Sequence, residues 1–228
     1  MSWRRELDRA AAIAAKDLTA EWRTRANFNA VTFFGALMLL LFGFALGPDA
    51  ETLRRSAPGI VWLTVLFSGV LTFNRSYQLE LDDDALETLL AYPGSRRTIF
   101  VGKLAANLAF VLLVEAVIVP LTAVLYGVSP GRGFPAFVGV LLLGTFGFVT
   151  LGTFYSALSS RSRAREVLLP LLLFPMLVPL LIAAAEATTA LLAGDAMGSA
   201  GTWAGVLAAF DVIFFVAAAY AFEHVIAA

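Results

Sequence analysis

Carboxyl groups inside long apolar runs are the residues of this sequence best placed to do chemistry, because a charged side chain in hydrocarbon is costly unless it faces protein or water. Glu115 and Asp211 stand in two such runs and Glu186 in a third. Counted from Lys103 at 1.5 Å per residue, Glu115 falls about 18 Å along a helix, near a bilayer midplane. By the same count Asp211 and Glu186 fall nearer the outer leaflet. Glu115 is expected either to serve a polar pathway or partner contact, or to hydrogen-bond a neighbouring helix. His224 is the single histidine and there is no cysteine. Thiolate metal sites, iron–sulfur clusters and disulfides are therefore excluded, and one histidine makes a poor metal or haem site. No nucleophile–base–acid set can be assembled around it. A phosphate-binding loop is absent too: Gly94 and Gly102-Lys103 are wrongly spaced, and Leu104 stands where Ser or Thr is required. The chain does not hydrolyse ATP alone, so energy for any driven transport enters through another polypeptide.

The longest polar interruption runs from Arg75 to Lys103. Asp82, Asp83 and Asp84 precede Glu87, so Asp84 can cap a helix while Glu87 reaches back from the third helical position. Leu86, Leu89 and Leu90 fall on one face of that helix, and Pro93-Gly94 ends it. A stub of about 13 Å results, too short to span a membrane. It suits either a helix lying on lipid headgroups or a docking helix for a soluble partner, and its acidic face favours the partner because anionic headgroups would repel it.

The elements that position these groups follow from composition. Hydrophobic residues make up 60% and charged residues 14%, with a mean hydropathy of +0.83, whereas a soluble domain is charged at about one residue in four. The apolar runs are long enough for spanning helices rather than barrel strands. The expected fold is all-α, a polytopic membrane protein of six spans at about 28–46, 58–74, 101–126, 134–158, 167–193 and 203–225. Residues 1–27 form an amphipathic interfacial helix with Trp3, Leu7, Ala14 and Leu18 on one side and Arg5, Arg9, Lys16 and Arg23 on the other. Residues 28–228 form the six-span unit, with 75–103 as its main inner loop. Placing both termini in the cytoplasm leaves only Arg54, Arg55 and Arg132 outside, as the positive-inside rule requires. No cleavable signal peptide, second soluble domain or nucleic-acid partner is expected. Gly152, Ser156 and Ser160 step at four residues along the fourth span, a groove for a close helix neighbour or a lipid-facing strip. Pro170, Pro175 and Pro179 interrupt the fifth, where kinks are expected, either in a pathway-lining helix or buried in the bundle.

Three stretches in order resemble the CcmB family, the permease subunit of the haem exporter in cytochrome c maturation: APGIVWLTVLFSGVLTFNR at 57–75, LDDDALETLLAYP at 81–93 with Lys103 beyond, and VLLPLLLFPMLVPLLI at 167–182. The resemblance implies an ABC-type complex in the bacterial inner membrane. Two permease copies would pair with two copies of the ATPase CcmA, which carries ATP and Mg, and associate with CcmC, CcmD and the haem chaperone CcmE. Leu81 and the coupling helix Asp82 to Tyr92, Asp84 included, would then meet the ATPase, with Leu86, Leu89 and Leu90 in a groove and Asp82, Asp83 and Glu87 at its rim. Haem would be handled by the complex; this chain, with His224 alone, is expected to bind no cofactor or metal and to transmit force instead. A generic ABC-2-type exporter of a lipid, glycan or drug shares the six spans and the short inner helix but needs neither Ala57-Pro58-Gly59 nor the triple proline. A non-transporting membrane scaffold would be indifferent to changes at 82–90.

Overall fold

The computed structural model describes residues 3–76, 95–159, 165–195 and 198–225. Among these residues there is no strand, and six helices are long and apolar enough to cross a membrane. A first helix, α1 (Trp3–Thr24), precedes them. The six are α2 (Ala26–Leu46), α3 (Ala50–Ser76), α4 (Arg96–Tyr126), α5 (Phe134–Ser159, entered through a 3-10 turn at Gly131–Gly133), α6 (Arg165–Leu192) and α7 (Ser199–Val225). The expected coupling helix, with Leu81, Asp82, Asp83, Asp84, Leu86, Glu87, Leu89, Leu90 and Tyr92, lies outside the described residues, as do Ser160 and the side chain of His224.

Three spans begin a turn or more earlier than hydropathy places them, and each of these has a polar cap. Asp49 Oδ2 accepts from the Thr52 amide at 2.8 Å, starting α3 at Ala50 rather than near residue 58. Pro58 is accommodated inside that helix. Ser95 accepts from the Arg97 amide at 3.2 Å, so α4 begins at Arg96 instead of near 101. Asp195 accepts from the Gly198 amide at 3.0 Å and the Ser199 amide at 3.1 Å, advancing α7 to Ser199 from near 203. A cap satisfies amides that the helix leaves free, so polar turns extend the apolar run at little cost.

α3 is the central helix: 72% of its spanning window is buried, against 17% for α2. Its partner is the stripe Gly144, Phe148, Gly152 and Ser156 of α5. The Trp62 ring lies on Gly144, the Phe148 ring on Gly69 and the Phe73 ring on Gly152, each where a β-carbon would collide. Ser156 donates to the Phe73 carbonyl at 2.6 Å. The groove at Gly152 and Ser156 is thus filled from within the chain by α3, not left to lipid. Trp62 also donates to Thr188 on α6 at 3.0 Å. α6 stays one helix through its three prolines, and its buried stripe is Leu169, Leu173, Leu177, Leu180 and Ala184. Pro175 and Pro179 lie on the exposed side, away from the interior of this chain, and Pro170 is half-buried.

The interfacial helix departs from its expected orientation. α1 packs on α4 through Glu6, Ala10, Ile13 and Asp17, a face lying between the apolar and basic sides read from the sequence. Leu7 stays 46% exposed. The reason is on α4, whose first turns offer a hydroxyl, a glycine and a lysine where a purely apolar face would have no match.

Asp49 and Asp195 cap helices at the end of the bundle away from the α1–α2 junction. The Thr52 hydroxyl and amide hold Asp49, and the Ser199 amide and hydroxyl and then the Gly198 amide hold Asp195, below the usual aspartate value of 3.8. A carboxylate with a lowered folded-state pKa stabilises the fold at pH values above the unfolded value, and that contribution disappears as pH falls through the folded one. The melting temperature of the wild type is therefore expected to fall more steeply below about pH 4 than that of Asp49→Asn/Asp195→Asn, whose amides still cap but do not titrate. Parallel curves in a thermal unfolding series would refute this.

Candidate functional site

Lys103, Asn107 and Glu115 lie on one stripe of α4, at four-residue steps broken only by Val111, and all three are buried. In hydrocarbon no solvent completes the hydrogen bonds of such groups, so each must be answered by another helix. Lys103 is 1% exposed, and its Nζ stands 2.9 Å from Asp17 Oδ2 on α1. Asp17 also meets Lys16 at 3.3 Å. One turn earlier the Thr98 hydroxyl donates to Glu6, and between the two contacts Gly102 lets the Ala10 backbone and Ile13 side chain approach closely. α1 is therefore clasped to the first turns of α4 by a hydrogen bond, a glycine contact and a buried ion pair. The same end of α4 is tied to α7, where Arg97 meets Glu223 Oε2 at 3.1 Å and Arg96 donates to the Glu223 carbonyl at 3.3 Å.

Deeper in the bundle Asn107 donates to Thr153 Oγ1 at 3.0 Å and Thr145 donates to Glu115 Oε1 at 2.6 Å, both bonds joining α4 to α5. Glu115 Oε2 has no hydrogen-bond partner among the described residues. Ser68 and Thr72 of α3 line a crevice beside Glu115, and that crevice is too narrow to hold a water molecule. Of the two roles expected for Glu115, the geometry provides the bond to a neighbouring helix. Near the far end of α4 the Tyr126 hydroxyl donates to the Leu39 carbonyl of α2 at 2.7 Å.

Asp211 requires a correction in depth. α7 runs from Ser199 to Val225, which places Asp211 near its middle rather than nearer the outer leaflet. It is 5% exposed, rests against Gly147 of α5, and neither carboxyl oxygen has a partner among the described residues. Thr145 and Gly147 are two positions apart, so Glu115 and Asp211 abut α5 at similar depth. Glu186 is exposed on α6 and joins neither.

Asp17, Glu6 and Asn107 were not singled out from the sequence. For Asn107 and Lys103 the signal is present as polar residues four apart in a span. Asp17 and Glu6 carry none, because acids in a basic amphipathic helix read as solvated until α4 is set against them.

Thr145→Val leaves both Glu115 oxygens without a described donor and is expected to cost about 1 kcal/mol, the scale of interhelical hydrogen bonds in membranes. Thr145→Val/Glu115→Leu removes both polar groups and should recover most of the loss. Additive losses in thermal unfolding of the purified protein would show that the bond does not join the helices.

Comparison with known proteins bears on the whole arrangement. The family model described as CcmB protein matches residues 8–228. The chain is 34% identical over 179 residues to heme exporter protein B of Paracoccus denitrificans, covering 77% of this chain and 80% of that one. It is 33% identical over 178 residues to heme exporter protein B of Rhodobacter capsulatus, with the same coverages of 77% and 80%. Against heme exporter protein B of Pseudomonas aeruginosa the identity is 31% over 166 residues, or 73% of this chain and 74% of the relative. The match takes in α1 from Asp8 onward, all six spans and the 77–94 connection, and the chain belongs to the CcmB family.

Proposed function

We propose that this chain is the permease subunit of an ABC-type haem exporter acting in cytochrome c maturation. The observation that carries the reading is the family match across residues 8–228 together with relatives named heme exporter protein B. In this reading the protein sits in the bacterial inner membrane with both termini cytoplasmic. α1 lies at the inner interface, its basic side toward headgroups, and residues 28–228 form the permease unit. A separate ATPase, CcmA, supplies ATP-driven motion, two permease copies assemble with it, and CcmC, CcmD and CcmE complete the haem-handling complex.

The 82–92 segment is the proposed point where the ATPase pushes. It sits in the connection between α3 and α4, and α4 is the helix to which α1, α5 and α7 are bonded at or below its midpoint. Motion imparted to the start of α4 would therefore carry α1 with it through Lys103–Asp17, and reach α5 through Asn107–Thr153 and Glu115–Thr145. Each of these is a bond between side chains, so the helices move as a joined set rather than sliding singly. This supports a force-transmitting role for the chain; in the same reading haem is held by other subunits and His224 is not its ligand.

Asp83→Lys/Glu87→Lys is expected to reduce co-purification of the ATPase about tenfold or more, as reversed charges at an interface rim do, and to abolish covalently haem-stained c-type cytochromes in the host membrane. Normal ATPase recovery with normal haem staining would sink the coupling assignment. Asp17→Asn removes the carboxylate that the Lys103 ammonium meets at 2.9 Å and is expected to lower the melting temperature of the purified protein. Asp17→Leu/Lys103→Met should restore folding yet transmit less well, because the ionic clasp is gone; full haem staining in that double variant would separate the clasp from function. Stoichiometric haem on the purified chain, altered by His224→Ala, would overturn the assignment of haem to other subunits.

A further inference from the structure

Between α1 and α2 the chain turns sharply at Arg25, the one non-glycine among the described residues with a positive φ, 51°. A side chain rarely adopts this left-handed conformation unless its surroundings hold it there. Here Glu21 Oε1 accepts from the Phe28 amide at 3.0 Å across the turn, satisfying one of the free amides of α2. The Arg25 guanidinium stands 5.1 Å over the Trp22 ring, and Phe28 packs edge-on against Phe110 of α4 at 6.2 Å. The elbow so formed stands off α4 and leaves a cleft of about 550 Å³, within the size range of small-molecule sites.

The cleft is graded from charge to hydrocarbon. Phe28, Ala109, Phe110 and Leu113 line its apolar part, and Arg23 and Arg25, with the Glu21 carboxylate turned to the Phe28 amide, line its charged edge. Both arginines are exposed, and neither is in a salt bridge among the described residues. The spanning segment of α2 starts at Ala26, so the charged edge lies at the water–hydrocarbon boundary and the apolar part just inside it. An occupant must therefore be amphipathic, with an anionic head at the boundary and an apolar body beneath. We infer that the cleft binds an anionic phospholipid of the leaflet on the α1 side, its phosphate between Arg23 and Arg25 and one acyl chain over Phe28, Phe110 and Leu113. Guanidinium groups bind phosphate with paired donors, and they repel the ammonium of a zwitterionic head, which gives the site its selectivity. The site is independent of what the complex exports.

The full chain would be reconstituted in nanodiscs of equimolar phosphatidylglycerol and phosphatidylcholine, and the lipid it retains after extraction counted by native mass spectrometry. Wild type is expected to retain phosphatidylglycerol preferentially, with the preference falling at high salt. Arg23→Gln/Arg25→Gly should lower that preference about tenfold, the scale of a lost charge-assisted hydrogen bond; glycine at 25 keeps the left-handed turn while removing the charge. Arg23→Lys/Arg25→Lys should keep most of it. Ala109→Trp, filling the apolar part without touching charge, should reduce retention of phosphatidylglycerol. Equal retention of the two lipids by wild type overturns the inference even if a variant fails to fold. An unchanged preference in folded Arg23→Gln/Arg25→Gly overturns it as well, and reassigns the cleft to unselective lipid tails or to a protein partner.

Discussion

A lysine ammonium at 1% exposure is sustainable in this fold because the Asp17 carboxylate reaches it at 2.9 Å. Removing a buried charge from water is expensive, and only a close opposite charge with good geometry compensates for it. Much of the α1 end of the bundle follows from that pair. It sets α1 on α4 at a fixed register, which brings Ala10 and Ile13 onto Gly102 and Glu6 onto Thr98. With α1 so placed, the chain can join α2 only by a tight turn, and Arg25 takes the left-handed conformation that makes one. The cleft beneath the elbow is the space that remains.

Between spanning helices the hydrophobic effect gives little direction, because lipid tails are as apolar as the side chains they would replace. Close packing and interhelical hydrogen bonds take over. Both operate here, in different proportion at different joints. α3 and α5 meet through rings laid on glycines, Trp62 on Gly144, Phe148 on Gly69 and Phe73 on Gly152, a fit in which any β-carbon would push the helices apart. α4 packs closely too, at Gly102, and adds polar side-chain pairs to three of its neighbours, Lys103–Asp17, Asn107–Thr153 and Arg97–Glu223. A packed joint of the first kind resists deformation, whereas a set of discrete side-chain bonds can be exchanged for another set. In the force-transmission reading this makes α4 the helix suited to receive a push and α3 with α5 the frame it works against. α2 is held to α4 at Gly35 and at the Leu39 carbonyl, yet Phe33 is 70% and Phe44 80% exposed, so much of its surface faces lipid or another subunit.

The two buried carboxyl groups mark the difference between a bonded and an unbonded acid at one depth. Glu115 receives the Thr145 hydroxyl, while Asp211, set against Gly147, receives nothing among the described residues. Both flank α5, the helix that also carries the glycine stripe, so that helix is approached by acid from two sides.

The sequence by itself determined the all-α class, the six spans and the family, since length, hydropathy and the order of short motifs are local properties that survive without coordinates. It also located the Gly152–Ser156 groove, because small residues at four-residue steps leave a strip on a helix whatever packs there. It could not place span ends to better than a turn or two, as at α3 and α7, where Asp49 and Asp195 add polar turns that hydropathy discounts. Nor could it say that Phe73 fills the groove, that Pro175 and Pro179 of α6 face outward, or that Asp17 lies on the face of α1 turned to α4. Those depend on which helix stands opposite. An aspartate in a basic amphipathic helix and a lysine at the start of a span are each ordinary when taken alone; only when tertiary packing removes water from between them does their attraction become a bond on which the neighbouring helices depend.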